Sequence, residues 1–314
     1  MSAPDSAPSN TGPTLLTRVI STLIAAGRIL PPRFAWVLGG SVGYAFGCLP
    51  MRDQRRCREH LARAFPEQNQ AWIEHTARKA FRHVGRMAAW TLATLHRPPQ
   101  VLRRHCAWHG RTNMAATRAA QLAGKGTLIL AGHLGNWELL ARVTGTIMGA
   151  SVLGKRMRNP ALDHIVRQIR GEHGNRALYQ EDGVAACVRE LRSGQLMATL
   201  IDQDIRRLAG CFVPWFGHPA YTPSGPVMLA LLARAPVQSV HCLWDGRRWA
   251  MHWGPRWVIP RDCSRDEAVA MVTAQATAFQ EHLVRLYPEQ WVWWHKRWRT
   301  QPSDEPSALC WPKV

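Results

Sequence analysis

Hydrophobic and polar positions divide the chain into an apolar N-terminal stretch and a long region where helical and strand-like periods alternate. Leu15–Leu30 is apolar, with Arg18 and Arg28 as its only charges. Phe34–Leu49 is an uncharged run of 16 residues containing four glycines, just short of the roughly 18 that mark a spanning helix. Pro31 and Pro32 separate the two runs and forbid one continuous helix. The pattern predicts a helix over 68–95, stopped by Pro98-Pro99. From residue 125 onward short apolar runs appear between glycines. Thr127–Ala131 and Leu196–Ile201 read as buried strands, as do Val237–Leu243 and Arg248–Trp253. Helices are predicted over Asn159–Arg170, Gly183–Arg192 and Thr222–Arg234. Ser264-Arg-Asp-Glu267 is a capping box opening a long helix with the stripe Val269, Val272, Ala276, Phe279, Leu283, Leu286. Strands alternating with helices imply an α/β fold, a mostly parallel central sheet flanked by helices, preceded by an N-terminal helical membrane anchor.

Charge sharpens the picture of the N-terminal part. The 314 residues hold 40 Lys+Arg against 21 Asp+Glu, a net charge of +19. Arg52, Arg55, Arg56, Arg58 and Arg63 crowd the segment after the second apolar run, opposed only by Asp53 and Glu59. A short apolar anchor beside a basic cluster suits attachment to an anionic membrane from its cytoplasmic side. A buried helical hairpin with a solvated basic exit is the alternative. Residues 1–14 are rich in Ser, Pro and Ala and read as a flexible tail without the basic region and cleavage site of a secretory signal. The chain is thus divided into a tail (1–14), an anchoring segment (15–62), an α/β domain (63–300) and a C-terminal tail (301–314). The eight cysteines are scattered without a CxxC pair, which points to free thiols in a reducing compartment. Fifteen tryptophans against four tyrosines hint at interfacial surfaces.

The chemistry-bearing stretch is Leu128-Ile-Leu-Ala-Gly-His-Leu-Gly-Asn-Trp-Glu138. It sets His133 just past a buried strand, in the crevice where open α/β sheets bind ligands. Asn136 can cap the following helix and put Glu138 in its first turn. Across such a turn the carboxylate can fold back onto the imidazole, fix its tautomer and stabilise the imidazolium, so that His133 deprotonates an alcohol. A histidine that merely satisfies loop carbonyls is the other reading. Asp202 ends the second strand, and Arg170 ends the 159–170 helix. The pair can orient a substrate phosphate or complete an oxyanion-stabilising shell, or serve as a scaffolding ion pair. Asp202 and Asp204 also suggest a divalent cation, but no further carboxylates cluster near them. No G-x-S-x-G elbow, GxxxxGK[ST] loop or GxGxxG occurs. Base-assisted direct transfer onto a bound hydroxyl therefore fits better than a covalent intermediate.

These stretches stand in order with several others. They are Glu59-His-Leu-Ala-Arg-Ala-Phe-Pro66, Gly132-His-Leu-Gly-Asn-Trp-Glu-Leu139, Arg158-Asn-Pro-Ala-Leu-Asp163, Leu191-Arg-Ser-Gly194, Asp202-Gln-Asp204, Phe212-Val-Pro-Trp-Phe-Gly217, Pro288-Glu-Gln-Trp-Val-Trp293 and His295-Lys-Arg-Trp298. Together, over about 250 positions, they resemble the bacterial lipid A biosynthesis acyltransferases, the lauroyl and myristoyl transferases of the lysophospholipid acyltransferase superfamily. The resemblance implies a catalytic dyad of His133 and Glu138, with support from Arg170, Asp202 and Asn136. It implies a fatty acyl group taken from acyl carrier protein and esterified to a hydroxyl of a lipid A precursor at the cytoplasmic face of the inner membrane, with no metal or organic cofactor. An acidic carrier protein, an anionic glycolipid and a membrane surface would all suit the +19 charge. The run Trp291–Arg299 either lies at the membrane interface, closes the substrate groove, or packs under the C-terminal helix. Two features depart from the family: the N-terminal anchor is broken in two, and the tail after Gln301 matches nothing.

Alternatives remain at the level of acceptor and class. A lysophospholipid, an aminolipid or a phosphatidylinositol mannoside could replace the lipid A precursor. Glycerophospholipid acyltransferases typically read Asn-His-x4-Asp, unlike Gly132-His133 and Glu138 here. A non-enzymatic basic membrane-binding protein is another reading. Nucleic-acid binding is disfavoured as a partner class, because the basic residues are dispersed and no recognition signature accompanies them.

Overall fold

The computed structural model describes residues 15–156, 159, 163 and 175–302. The chain opens with α1 (Leu15–Ile29), α2 (Pro32–Gly47), α3 (Arg52–Ala64) and α4 (Gln70–Thr94). The glycines of the second apolar run explain how α2 sits on α4. A Cβ on Gly39 would run into the Gly85 carbonyl, and one on Gly43 into the Phe81 carbonyl, so the two backbones meet through small residues. The large apolar side chains of α2 then point the other way. Val37 and Val42 are each 62% exposed, and Phe34, Leu38 and Phe46 are exposed beside them. This polarity is inverted relative to a helix that packs in water. The turn between α2 and α3 bends the chain by 86°, and no single described helix is long and apolar enough to cross a membrane.

The α/β part follows: α5 (Pro99–Arg104), β1 (Ala107–His109), α6 (Arg111–Leu122), β2 (Thr127–Ala131), α7 (Trp137–Met148), β3 (Ala150–Gly154), β4 (Asn175–Tyr179), α8 (Gly183–Arg192), β5 (Leu196–Leu200), β6 (Gly210–Trp215), β7 (His218–Pro223), α9 (Gly225–Ala233), β8 (Val237–Trp244), β9 (Trp249–Trp257) and α10 (Arg265–Leu286). Seven strands form one sheet in the order β1-β9-β8-β2-β5-β3-β4. Every neighbouring pair is parallel except β8–β9. The central strand β2 is buried on both sides. Leu128 and Leu130 pack with residues of α8, α9 and α10. Ile129 and Ala131 pack with Met87 of α4, Leu102 of α5 and Leu139 and Val143 of α7. Helices on both faces are what a continuous apolar strand such as Thr127–Ala131 requires.

Most of the expected elements are present, with informative differences. The capping box forms as read, Ser264 accepting from the Glu267 N–H while Glu267 accepts from the Ser264 N–H. Its stripe is buried at Val269, Val272, Ala276 and Leu283, but Leu286 is exposed at the end of the helix. The helix expected over Thr222–Arg234 starts later, at Gly225, because Thr222 and Pro223 finish β7. The hairpin β6–β7 is not legible as alternation, since Pro214 and Pro219 interrupt it. Its two-residue turn, Phe216-Gly217, has positive φ at both positions, the geometry that follows strand twist. The helix expected over Asn159–Arg170 lies outside the described residues apart from Asn159 and Asp163. Arg170 lies outside them as well.

Candidate active site

The loop after β2 is built to hold one side chain. Ile201 donates its N–H to the Ala131 carbonyl, extending the β2–β5 pairing to the edge of the sheet. The next residues are held on both sides: Gly135 N–H bonds the Gln290 carbonyl, Asn136 N–H bonds the Cys242 carbonyl, and the His133 carbonyl accepts from Val292 N–H. Gly135 has φ +67°, and a Cβ there would run into the Cys242 carbonyl, so only glycine fits without strain. Asn136 caps α7 as expected, its carbonyl oxygen accepting from Leu139 N–H at 2.9 Å. Its amide donates to the Thr91 hydroxyl at 3.1 Å. Asn136 is fully buried and committed to the cap, so it positions the loop rather than meeting a substrate.

The carboxylate on the imidazole is Asp202. His133 Nδ1 lies 2.8 Å from Asp202 Oδ1, and the His133 backbone N–H donates to Oδ2 at 2.7 Å. Trp291 Nε1–H donates to the same Oδ2 at 2.8 Å. Burial alone would push this carboxyl up. The His133 imidazole and its hydrogen bond, then His295 and the Trp291 indole, outweigh burial and hold it well below the usual carboxylate range. An ionised Asp202 accepts a hydrogen bond from Nδ1–H, so the lone pair of His133 stands on Nε2, and that is the tautomer a general base needs. The carboxylate bonded to the imidazole is thus Asp202, 69 residues from His133 in sequence, where the spacing along the chain leads one to expect Glu138. Asp202 itself, an acceptor with its oxygens engaged, is not an oxyanion donor. Glu138 sits in the first turn of α7 and lines the same cavity as His133. Asp204 faces elsewhere, accepting from Thr300 N–H and the Thr300 hydroxyl and lying beside Arg299.

Beside His133 lie two residues that sequence reasoning did not single out. Gln203 Nε2 is 3.3 Å from His133 Nε2 and 3.2 Å from His295 Nε2. The His133 and His295 rings meet edge to face at 4.6 Å, and Trp137 packs on His133 from another side at 5.2 Å. Burial, with His133 as a second cause, pushes His295 down to about 4, so it is neutral at physiological pH. The only signal in the chain was indirect: Gln203 stands inside Asp202-Gln-Asp204 and His295 inside the Trp-rich run. That run is mostly core, since Trp291, Trp293 and Trp298 are buried, and Trp294 stacks on Phe81 of α4 at 4.2 Å.

From His133, Glu138 and Gln203 a cavity of about 440 Å³ runs inward between α7 and the sheet. Its walls are mostly apolar, among them Ile129, Leu140, Ala150, Val152 and Leu200. A base at the mouth of an apolar slot can deprotonate a hydroxyl next to the head of a long hydrocarbon chain.

Comparison with known proteins gives the family. Residues 14–300 match the family described as bacterial lipid A biosynthesis acyltransferase. The chain is 24% identical over 284 residues to a lipid A biosynthesis palmitoleoyltransferase of Escherichia coli (strain K12), covering 88% of this chain and 89% of the relative. It is 25% identical over 281 residues to the lipid A biosynthesis lauroyltransferase of the same organism, covering 85% and 87%. A phosphatidylinositol mannoside acyltransferase of Mycobacterium tuberculosis (strain CDC 1551 / Oshkosh) is 26% identical over 199 residues, and that match spans 60% of each chain. With a family match over almost the whole length, the chain belongs to the bacterial lipid A biosynthesis acyltransferase family.

Proposed function

We propose that the protein moves a fatty acyl group from acyl carrier protein to a hydroxyl of a lipid A precursor, at the cytoplasmic face of the inner membrane, with His133 as general base. The observation that carries this reading is the hydrogen bond from His133 to Asp202, with His133 lining a mostly apolar cavity. The acyl chain lies in the cavity with its thioester carbonyl beside Nε2. The acceptor hydroxyl gives its proton to Nε2 as its oxygen attacks the carbonyl carbon, and Asp202 stabilises the imidazolium. Glu138, which lines the same cavity, steadies the acceptor's hydroxyls, while Arg170 binds an anionic group of the substrate. A phosphatidylinositol mannoside is the second acceptor to weigh, because an acyltransferase named for that lipid is as similar in its aligned region as the lipid A enzymes.

Membrane attachment is supported by the inverted polarity of α2. Its exposed face, Phe34, Val37, Leu38 and Val42, would enter the acyl boundary while Arg33, Arg52 and Arg55 meet anionic headgroups. A net charge of +19 favours both an acidic carrier protein and an anionic glycolipid. The seven described cysteines are all free, in keeping with a reducing compartment.

The test is mass spectrometry of lipid products after incubating the protein with acyl carrier protein thioesters. A tetra-acylated lipid A precursor, a phosphatidylinositol mannoside and a lysophospholipid are offered together, with His133→Ala in parallel. Gain of one acyl group on the lipid A precursor, absent from the variant, is the expected result. Gain on one of the other acceptors would keep the chemistry and replace the substrate. No gain on any of them would overturn the reading.

A further inference from the structure

Resting on that reading, we propose that Gln203 is a catalytic residue whose side-chain amide stabilises the oxyanion of the acyl-transfer intermediate, with His295 as the positioning residue that aims it. Ester formation from a thioester puts a full negative charge on the carbonyl oxygen beside the base. A donor fixed near that position is worth about 10²–10³-fold in rate. Asp202 is an ionised acceptor and Asn136 is spent on the α7 cap, so neither can meet that charge. Gln203 is a donor at the right place. It lines the cavity together with His133 and brings its amide nitrogen to 3.3 Å from His133 Nε2, the atom that takes the hydroxyl proton.

The direction of the amide follows from the tautomer. Asp202 holds the proton of His133 on Nδ1, so Nε2 offers a lone pair and faces the NH₂ of Gln203 rather than its carbonyl. The second N–H of that NH₂ is directed at His295, whose Nε2 lies 3.2 Å away and whose ring packs edge to face on His133. His295 is in turn fixed by the backbone around it, its N–H bonding the Val292 carbonyl and its carbonyl accepting from Arg297 N–H. Gln203 therefore caps the base. An arriving hydroxyl takes over Nε2 and releases one amide N–H toward the adjoining carbonyl. The hydroxyl proton passes to Nε2, the hydroxyl oxygen bonds the thioester carbon, and the carbonyl π pair moves onto the oxygen that Gln203 meets. Collapse re-forms the carbonyl and breaks the C–S bond. The departing thiolate takes the proton from Nε2, leaving ester and free thiol.

The experiment is steady-state kinetics of the full-length protein with an acyl carrier protein thioester and the acceptor identified above, for wild type and for Gln203→Ala, Gln203→Met, Gln203→Glu, His295→Ala and His133→Ala. Binding of two probes is measured in parallel. One is a non-reactive thioether of the acyl carrier protein, mimicking the ground state, and the other is an alkyl phosphonate ester, mimicking the tetrahedral intermediate. Gln203→Ala and Gln203→Met are expected to lower kcat by about 10²–10³-fold, with KM within threefold. They should weaken the phosphonate by a similar factor and leave thioether binding unchanged. Gln203→Glu should lose as much and also shift the acid limb of the kcat profile upward, since a carboxylate beside Nε2 favours the imidazolium. His295→Ala should give a smaller fall of the same kind. Wild-type transfer together with Gln203→Met within threefold of wild-type kcat would overturn this inference alone. Equal loss of both probes would also overturn it, assigning Gln203 to substrate binding or to the fold. A wild type that transfers nothing, indistinguishable from His133→Ala, would overturn the acyl-transfer reading and this inference with it.

Discussion

Asp202→Asn tests the base and its orienter together, and the structure sets the size of the effect. Oδ2 of Asp202 accepts from His133 N–H and Trp291 Nε1–H, while Oδ1 faces His133 Nδ1. Asparagine has a single acceptor oxygen, and two donors claim it at the Oδ2 position. The new NH₂ then meets Nδ1, which accepts only if the proton moves to Nε2, and the base loses its lone pair at the substrate. Restoring the productive tautomer leaves a buried donor pair facing each other, at about 1–3 kcal/mol, and forfeits a charge-assisted bond to the imidazolium worth about 1.5–3 kcal/mol. Together this is about 2.5–6 kcal/mol, or roughly 10²- to 10⁴-fold in kcat, and the upper end matches what wrong-tautomer variants of Ser-His-Asp triads lose. Because both bonds to Oδ2 survive, the fold should be little affected, with a melting shift of about 2–4 °C or less. Initial rates of acyl transfer and a thermal melt decide it. Asp202→Asn turning over within tenfold of wild type, while Glu138→Gln falls a thousandfold, would refute the assignment and return the orienting role to Glu138.

Three further outcomes are expected. Gly135→Ala forces a side chain into the Cys242 carbonyl at positive φ, so the catalytic loop should shift, with stability down by about 1–3 kcal/mol and turnover down by roughly tenfold or more for a misplaced base; normal turnover would show the loop to be tolerant. His83 and His241 are buried and burial pushes each down from 6.5 to about 4, so between those values the unfolded chain binds protons that the native chain does not. Stability should be full above pH 6.5 and fall by about 1.4 kcal/mol per pH unit for each such histidine as pH drops toward 4; urea midpoints at pH 7.5 and 5 measure it, and a His83→Asn variant with an unchanged slope would count against the assignment. Val37→Glu combined with Val42→Glu changes only exposed positions of α2, so folding should be retained while sedimentation with anionic vesicles weakens at least tenfold, roughly the loss from keeping one valine out of the acyl layer; unchanged sedimentation would place the membrane contact elsewhere.

The sheet was legible because its central strands carry their burial in composition: Thr127–Ala131 has no charge to place in water, and glycines bound it. The outer strands were not. Asn175–Tyr179 includes an exposed arginine and β1 is only three residues long, so neither shows a period long enough to separate from loop. In the site, His133 announced itself by standing just past a buried strand. Its partner did not, because spacing along the chain reports only local geometry. Glu138, five residues away, was the local choice, and the parallel pairing of β2 with β5 supplied a nonlocal one by bringing the ends of both strands to the same edge. Asp202 is legible at that edge position, but its pairing with His133 is not. Gln203 and His295 left no local trace, since neutral polar side chains acquire a role only when the fold places them around a buried nitrogen.

The stretch around Trp291–Thr300 accounts for why so much of this chain's aromatic content is core. Trp291 holds the Asp202 carboxylate, His295 packs on the base, and Trp294 stacks on Phe81 in the helix that α2 leans against. One short segment therefore touches the orienter, the base and the helical pair that presents the apolar face. Arg297, fully buried, anchors the same segment by bonding the Tyr221 carbonyl and the Thr222 hydroxyl of the β6–β7 hairpin. A buried guanidinium left without these acceptors is costly, so the hairpin that the prolines hid from sequence reading is the support on which the segment rests. The catalytic geometry is thus set less by the strand that carries His133 than by a crossing of three distant parts of the chain: the end of β5, the C-terminal segment and the hairpin beneath it.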